Sequence, residues 1–577
     1  MPALGDLTFK QIGVEAKQGS WEVWSPRISA EDLREDFREV FSPLGIPAGE
    51  DFHEDYPEWK VHDKEGGIVI AGAPIADTDR QNILSSAIAV GSLDFMHLFA
   101  RTCVARLDGF NRAVAEITLH AAPAYPSHKI ALNILIRCGS HKMGYCSRVL
   151  PAGAWRQEAK EADESAWQAA SKIMEWSEEE AEASKLQGMN PIDSGGLGIG
   201  GCQLLAPFGH VASWLDSRSA LRHVSDIRRE IARDGSFIGS MLRSDYSVCA
   251  RKNPRLPKSL VDFIDAEHSV KKDFRRKDGS VRWQALMSEG VRSDEAKRKR
   301  RDMSAQTKAR LEMMGHRWLS GGDVPGATLL RRNFLVAVRM RFGLDLKPAM
   351  PLPVSPDCSN IGWVPGQVGR RRDEPCGKDL DARGHHAATC SSGGGLRLRH
   401  DRTRDALAAE LRRAGVHVKQ ERWVPDLAYV DSEGNDKQAR LDLVVRLHDR
   451  ALYIDITAFH PYVGSGRGLG SRRNDWRPRH HERENSRRYP TRRGGRRMLA
   501  EGAVVPIAVS SLGLIGEVGA DFLTKARLHV ALRKGVPTQS APDFLLVVEA
   551  YIVHGTTEAL LKAYGTQDGA SRPLDSP

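Results

Sequence analysis

The stretch Arg440-Leu441-Asp442-Leu443-Val444-Val445-Arg446-Leu447-His448-Asp449-Arg450-Ala451-Leu452-Tyr453-Ile454-Asp455-Ile456-Thr457 holds two β-rich runs. His448-Asp449 lies between them as a tight turn. If the hairpin is symmetric about that turn, residue numbers of paired positions sum to 897, and Asp442 stands directly opposite Asp455. Opposed residues on one face of an antiparallel pair have Cβ atoms about 4.5–5.5 Å apart. Two carboxylates that close, among apolar neighbours, are costly unless a cation or a shared proton offsets them. Oxygen ligands suit Mg²⁺ or Mn²⁺. An ion there would activate water and stabilise a phosphate under attack.

The flanks read as an α/β domain. Asp401–Ala414 has helical period, and Val416–Trp423 is strand-like and places Glu421 as a third carboxylate. Strands are expected at 503–510 and 543–553, flanking a helix near 519–533. Upstream, 1–90 mixes short strand-like runs with acidic loop, and Asn82 to Lys185 is mostly helical. Residues 217–345 read as long charged helices, and Pro348, Pro351, Pro353 and Pro356 mark a linker. Gly196-x-Gly198-x-x-Gly201 matches a dinucleotide fingerprint in form only, because a charged helix and not a strand precedes it.

The chain has 577 residues, 84 Lys+Arg and 74 Asp+Glu, a surplus of +10 that points to polyanions if it is clustered. It is clustered. Residues 464–497 hold twelve Arg, no Lys and the acids Asp475, Glu482 and Glu484, a net +9. Arginine gives planar, bidentate phosphate contacts, and Trp476 and Tyr489 add rings that stack on bases. A second basic run, Lys297-Arg298-Lys299-Arg300-Arg301, fits a nuclear localisation signal.

Eight cysteines in this length are sparse, and the N-terminus has no basic region followed by an apolar core, so thiols or metal ligands are expected over disulfides. Cys376, His385 and Cys390 are spaced like a zinc knuckle, which needs four ligands. Cys358 is taken as the fourth, with Asp373 as its rival, and His386 competes with His385 for the imidazole position. No run reaches the ~18–20 apolar residues of a membrane helix, since Glu549 interrupts Phe544–Val553, so no membrane partner is expected.

In order, the motifs are Cys376-Gly-x-x-Leu-Asp-x-x-Gly-His-His-Ala-x-x-Cys390, Arg399-His400-Asp401, Gly415-Val-x-Val-x-x-Glu421, Leu441-Asp442 and Ile454-Asp455-Ile-Thr457. That order resembles the C-terminal half of non-LTR retrotransposon polyproteins of the restriction-like-endonuclease type. Gly67–Ile75, Ser194–Trp214 and Val504–Ser510 also look like segments of that family, so the resemblance covers about residues 10 to 535. It implies an α + α/β chain, a helical thumb and linker followed by a zinc knuckle and a PD-(D/E)XK restriction-endonuclease-like α/β domain. The implied segments are a palm remnant (1–90), a thumb-like helical region (91–216), a helical linker (217–356), the knuckle (357–395), the nuclease (396–560) and a disordered tail (561–577).

The implied activity is nicking of target DNA with Mg²⁺ (or Mn²⁺), with Zn²⁺ in the knuckle, DNA or element RNA as partner and a nuclear location. Asp442 and Asp455 would bind the ion, Glu421 would orient water, and Arg488 would contact the scissile phosphate. Arg399, His400, Arg472, Arg473 and Arg487 would contact nucleic acid. The family's polymerase has an Asp-Asp pair in its palm. No adjacent Asp-Asp occurs in this chain, which is expected to start after that motif and to lack polymerase activity. Leu441 and Thr457 stand where family members carry Pro and a simple (D/E)XK enzyme carries Lys, and no Lys occurs between Lys437 and Lys525. Arg487, Arg488 or Asn485 is the candidate in its place. The other reading is a non-catalytic remnant that only binds RNA or DNA.

Overall fold

The structure is a computed structural model describing residues 13–17, 20–24, 60–62, 67–70, 73–76, 92–122, 125–139, 143–217, 237–265, 270, 274–275, 281–350, 354, 356–363, 371–392, 395–430, 436–448, 450–461, 478, 481–483 and 503–565. It is mixed α/β and mostly helical, with a small sheet. Two compact units interleave along the chain: residues 1–115, 134–170 and 199–295 form one, and 116–133, 171–198 and 296–577 form the other.

In the first unit, β1 (Gly13–Lys17) and β2 (Ser20–Trp24) pair as a hairpin, and β3 (Lys60–His62), β4 (Gly67–Ile70) and β5 (Ala73–Ala76) form an antiparallel meander. Helical residues Ala100, Leu107, Cys146, Trp155 and Ala159 share one core. Phe208, Leu242, Tyr246, Phe263 and Trp283 share a second, with Phe263 edge-on to Trp283 at 5.3 Å between ring centroids. The long helices expected across 217–345 are, among the described residues, short ones of 4 to 16 residues.

The second unit holds the candidate site. Helix α1 (Arg331–Phe342) is buried along its second half, and Gly343 ends it in the left-handed conformation, φ 68°. A Cβ at Gly343 would displace the Arg310 guanidinium, and the left-handed backbone itself favours glycine. Helix α2 (His385–Thr389) and helix α3 (Gly395–Arg413) lead into the sheet. Its strands are β6 (His417–Val430), β7 (Asp436–Leu447), β8 (Arg450–Phe459) and β9 (Val504–Ser510), in the order β9-β8-β7-β6. The β8–β9 pair is parallel and the other two are antiparallel. Helices α4 (Glu517–Lys534) and α5 (Phe544–Tyr564) complete the unit.

Alternation sets the core. Leu443, Val445 and Leu447 of β7, Ile454 and Ile456 of β8, and Val505, Ile507 and Val509 of β9 pack against Leu407 and Leu411 of α3, Phe522 and Leu523 of α4, and Phe544, Val548 and Ile552 of α5. The strand expected at 543–553 is therefore part of a 21-residue helix, capped by the Asp543 side chain on Leu546 N–H. A run that is apolar all round has no period to separate a buried strand from a buried helix, and length settles it. The same segment corrects the expectation that no run is long enough for a membrane. Thr538–Tyr564 is long and apolar enough to cross one, but 67% of its most apolar window is buried inside the protein.

Candidate functional site

The hairpin pairs Leu447 with Arg450, Val445 with Leu452 and Leu443 with Ile454, the register whose partners sum to 897. One step beyond the last pair, it brings Asp442 alongside Asp455. Both carboxylates are half-buried. Asp442 Oδ2 accepts the Ile456 backbone N–H at 2.7 Å, capping the point where the β7–β8 ladder stops. On the other side, β6 pairs Gln420 with Leu443 and Arg422 with Leu441, which brackets Glu421 opposite Asp442. By backbone register Glu421, Asp442 and Asp455 thus occupy facing positions on three adjacent strands. Glu421 sits at φ 49°, a left-handed conformation that costs a non-glycine residue energy.

The first turns of α3 bring cations to that row. His400 Nε2 lies 3.3 Å from Asp442 Oδ2 and 3.0 Å from the Ile456 carbonyl oxygen, and its Nδ1 lies 3.2 Å from Asp401 Oδ1. Burial works against the imidazolium, but the Asp442 and Asp401 carboxylates outweigh it and raise the His400 pKa to about 9. Four residues on, on the same helix face, Arg404 pairs with Asp401 at 3.2 Å, with Asp405 at 2.8 Å and with Glu421. The Glu421 carboxylate is therefore committed to a guanidinium. Sequence reasoning missed Arg404, although its spacing from His400 on a predicted helix was a usable signal.

Arg399, expected on nucleic acid, is only 2% exposed. Its Nη1 donates to Thr556 Oγ1 at 3.1 Å, its stem packs on Gly555, and burial lowers its pKa to about 10. Helical phase explains the correction: Arg399 and His400 are about 100° apart, so when His400 faces the carboxylates Arg399 faces α5. Arg472, Arg473, Asn485, Arg487 and Arg488 lie outside the described residues. Within the basic segment Glu482 is buried, and its Oε1 accepts Gly519 N–H at 3.1 Å in the first turn of α4. His481 stacks on Phe459 at 4.1 Å between ring centroids.

A second cluster gathers Cys358, Cys376, His386 and Cys390, whose ligand atoms all lie within 4.8 Å of one another. A short antiparallel pairing of 361–363 with 371–375 sets Cys358 beside Cys376, locked by Cys376 N–H to Asn360 O at 2.9 Å and Gly377 N–H to Cys358 O at 3.1 Å. Asp381 accepts N–H groups of Arg383, His385 and His386 and so starts α2. On that helix His386 and Cys390 are four apart, on one face. Cys358 Sγ is 3.7 Å from Cys390 Sγ, and Cys376 Sγ is 3.5 Å from His386 Nε2.

A tetrahedral ion with bonds of about 2.3 Å to sulfur and about 2.0–2.1 Å to nitrogen has S–S edges of about 3.8 Å and S–N edges of about 3.6 Å. The observed separations match both, so the cluster can hold a metal such as zinc. A hydrogen bond from the Cys358 thiol lowers the Cys390 pKa and favours the thiolate that a metal requires. The imidazole in the cluster belongs to His386 and not to His385. Adjacent helical positions diverge, and the His385 ring turns to His460, with Nδ1 3.1 Å from its Nε2. His460 is buried in turn, with Nδ1 2.6 Å from Ser511 Oγ.

No protein-family model matches this chain, and no curated protein matches it.

Proposed function

We propose that this chain is a mobile-element-derived nucleic-acid-binding protein whose α3–β9 region is a metal-dependent DNA endonuclease of the PD-(D/E)XK type. The observation that carries the reading is the register aligning Glu421, Asp442 and Asp455 on three neighbouring strands. Acids at facing positions of neighbouring strands are a useful arrangement for a divalent ion, and Arg404 and His400 offset the charge of Glu421 and Asp442 without one. Asp442 and Asp455 hold Mg²⁺ or Mn²⁺. Glu421 acts as a positioning residue through Arg404, and Arg488 with Arg472, Arg473 and Arg487 meets the phosphates. When bound, the ion supplies an activated water and neutralises charge developing on the phosphate.

The Cys358–Cys376–His386–Cys390 cluster serves as a structural zinc knuckle, because four protein ligands close the shell and leave no position for substrate. The adjacent +9 segment supplies salt-dependent affinity for DNA or element RNA. The run 297–301 fits nuclear import. No polymerase activity is expected, since the chain has no adjacent Asp-Asp pair.

The test is Mg²⁺- or Mn²⁺-dependent nicking of supercoiled DNA by wild type, Asp442→Ala and Asp455→Ala. Nicking by wild type alone supports the endonuclease, and equal nicking by all three removes it. A second reading, a remnant that binds nucleic acid without cutting it, is favoured by Thr457 standing where a catalytic Lys is expected. Tight, salt-dependent binding with no nicking under either ion selects that reading.

A further inference from the structure

We infer that His400 is itself a ligand of the divalent ion at this site, and that its imidazole selects a transition-metal ion of the Mn²⁺ class over Mg²⁺. The inference rests on the endonuclease reading in that Asp442 holds the ion. Three donor atoms from three elements converge: His400 Nε2 from α3, Asp442 Oδ2 from β7 and the Ile456 carbonyl oxygen from β8. Ligands in neighbouring positions of an octahedral shell with bonds of about 2.1 Å are about 3.0 Å apart. The two edges at His400 Nε2 are 3.3 and 3.0 Å. Both edges at His400 Nε2 are thus of coordination length, and an ion entering there would displace the Nε2 proton now shared with these two oxygens.

A second, independent feature points the same way. A metal-binding imidazole is characteristically held by a carboxylate on its other nitrogen, which fixes the tautomer and the ring plane. His400 Nδ1 lies 3.2 Å from Asp401 Oδ1, and Asp401 is pinned in turn by Arg404 at 3.2 Å. Nε2 is thereby turned toward Asp442. Selectivity follows from the donor set: Mg²⁺ favours all-oxygen shells, whereas Mn²⁺ and later divalent ions accept imidazole nitrogen.

The competing role for His400 is a cation that merely neutralises Asp442, and the two roles differ in sign. A ligand, once removed, weakens metal binding. A competing cation, once removed, frees Asp442 and tightens it. The experiment uses the full chain with its cysteine cluster preloaded with zinc. Mn²⁺ and Mg²⁺ affinities are measured by calorimetry, and ¹⁴N coupling to bound Mn²⁺ by pulsed EPR, for wild type, His400→Ala, His400→Gln and Asp442→Ala.

The expected result is ¹⁴N coupling in wild type that both His400 variants lose. Mn²⁺ affinity should fall about tenfold or more, with a smaller change for Mg²⁺. Glutamine keeps a donor for the Ile456 carbonyl and so separates a lost ligand from lost folding. Unchanged or tighter Mn²⁺ binding in the His400 variants, with binding abolished in Asp442→Ala, overturns the inference and leaves the endonuclease reading standing. Binding unchanged in Asp442→Ala as well overturns both.

Discussion

Asp442 Oδ2 stands 2.7 Å from the backbone nitrogen of Ile456, so one oxygen caps the open end of the β7–β8 ladder and also faces His400. The carboxylate therefore has a structural duty that is separable from metal binding. Asp442→Ala leaves the Ile456 N–H without that acceptor and is expected to lower stability by about 1–3 kcal/mol. Asp442→Asn keeps an amide oxygen for the same N–H and should lose less than half as much, while losing nicking as fully as the alanine variant. Urea unfolding alongside the nicking assay checks both. Equal stability loss in the two variants would place the N–H elsewhere.

The Cys358–Cys390 and Cys376–His386 separations give the zinc cluster a definite ligand set. Wild type is expected to purify with one zinc per chain. Cys376→Ser and His386→Ala should fall well below that, and His385→Ala should retain it, because the His385 ring is directed at His460. Elemental analysis of dialysed protein decides the matter. Zinc retained by His386→Ala and lost by His385→Ala would reverse the assignment.

The β7–β8 register was legible because two signals agreed: alternation with period two, and a two-residue turn that leaves a single symmetric pairing. Other features turned on helical phase or on burial by distant segments. His385 and His386 are indistinguishable as letters, and the start of α2 at Asp381 decides which ring faces the cysteines. Arg399 reads as a phosphate contact until the packing of α3 on α5 turns it inward. Helix α5 misled for the opposite reason, since residues buried on nearly all sides carry no period at all. For Arg404 the sequence offers only its four-residue spacing from His400, because its partner, Glu421, is reached only once β6 folds back beside α3.

Arg341 is the polar tie within the second unit. It is 2% exposed, and its guanidinium donates to Gly315 O at 2.8 Å, Ile192 O at 2.6 Å and Gly196 O at 3.1 Å. Three carbonyls of two loops are thus satisfied by one planar group. A lysine ammonium is a compact point donor and does not span them. Arg341→Lys is expected to cost about 2 kcal/mol or more, since Gly315 O and Gly196 O lose their donor while Ile192 O keeps the Gly195 N–H, and each buried carbonyl left unpaired costs about 1–3 kcal/mol. A urea midpoint close to that of wild type would contradict this.

Glu549 makes stability depend on pH near neutrality. The residue is 5% exposed, and its Oε2 accepts Arg317 N–H at 2.7 Å. Burial pushes its carboxyl from 4.5 up to about 7, opposed by that N–H and by the Arg317 and Arg341 charges. The folded state binds this proton more tightly than the unfolded state, so the contribution is fully present below about pH 4.5 and is lost as pH rises through 7. The full difference corresponds to roughly 3 kcal/mol. Buried histidines with lowered pKa, such as His460 and His385, push the other way over part of this range, so wild type alone does not isolate the effect. Glu549→Gln keeps an oxygen for Arg317 N–H and carries no titrating group. The stability of wild type minus that of Glu549→Gln is therefore expected to fall steadily between pH 5 and 8 in urea unfolding. A difference that stays constant across this range would mean that Glu549 ionises as an ordinary carboxyl despite its burial.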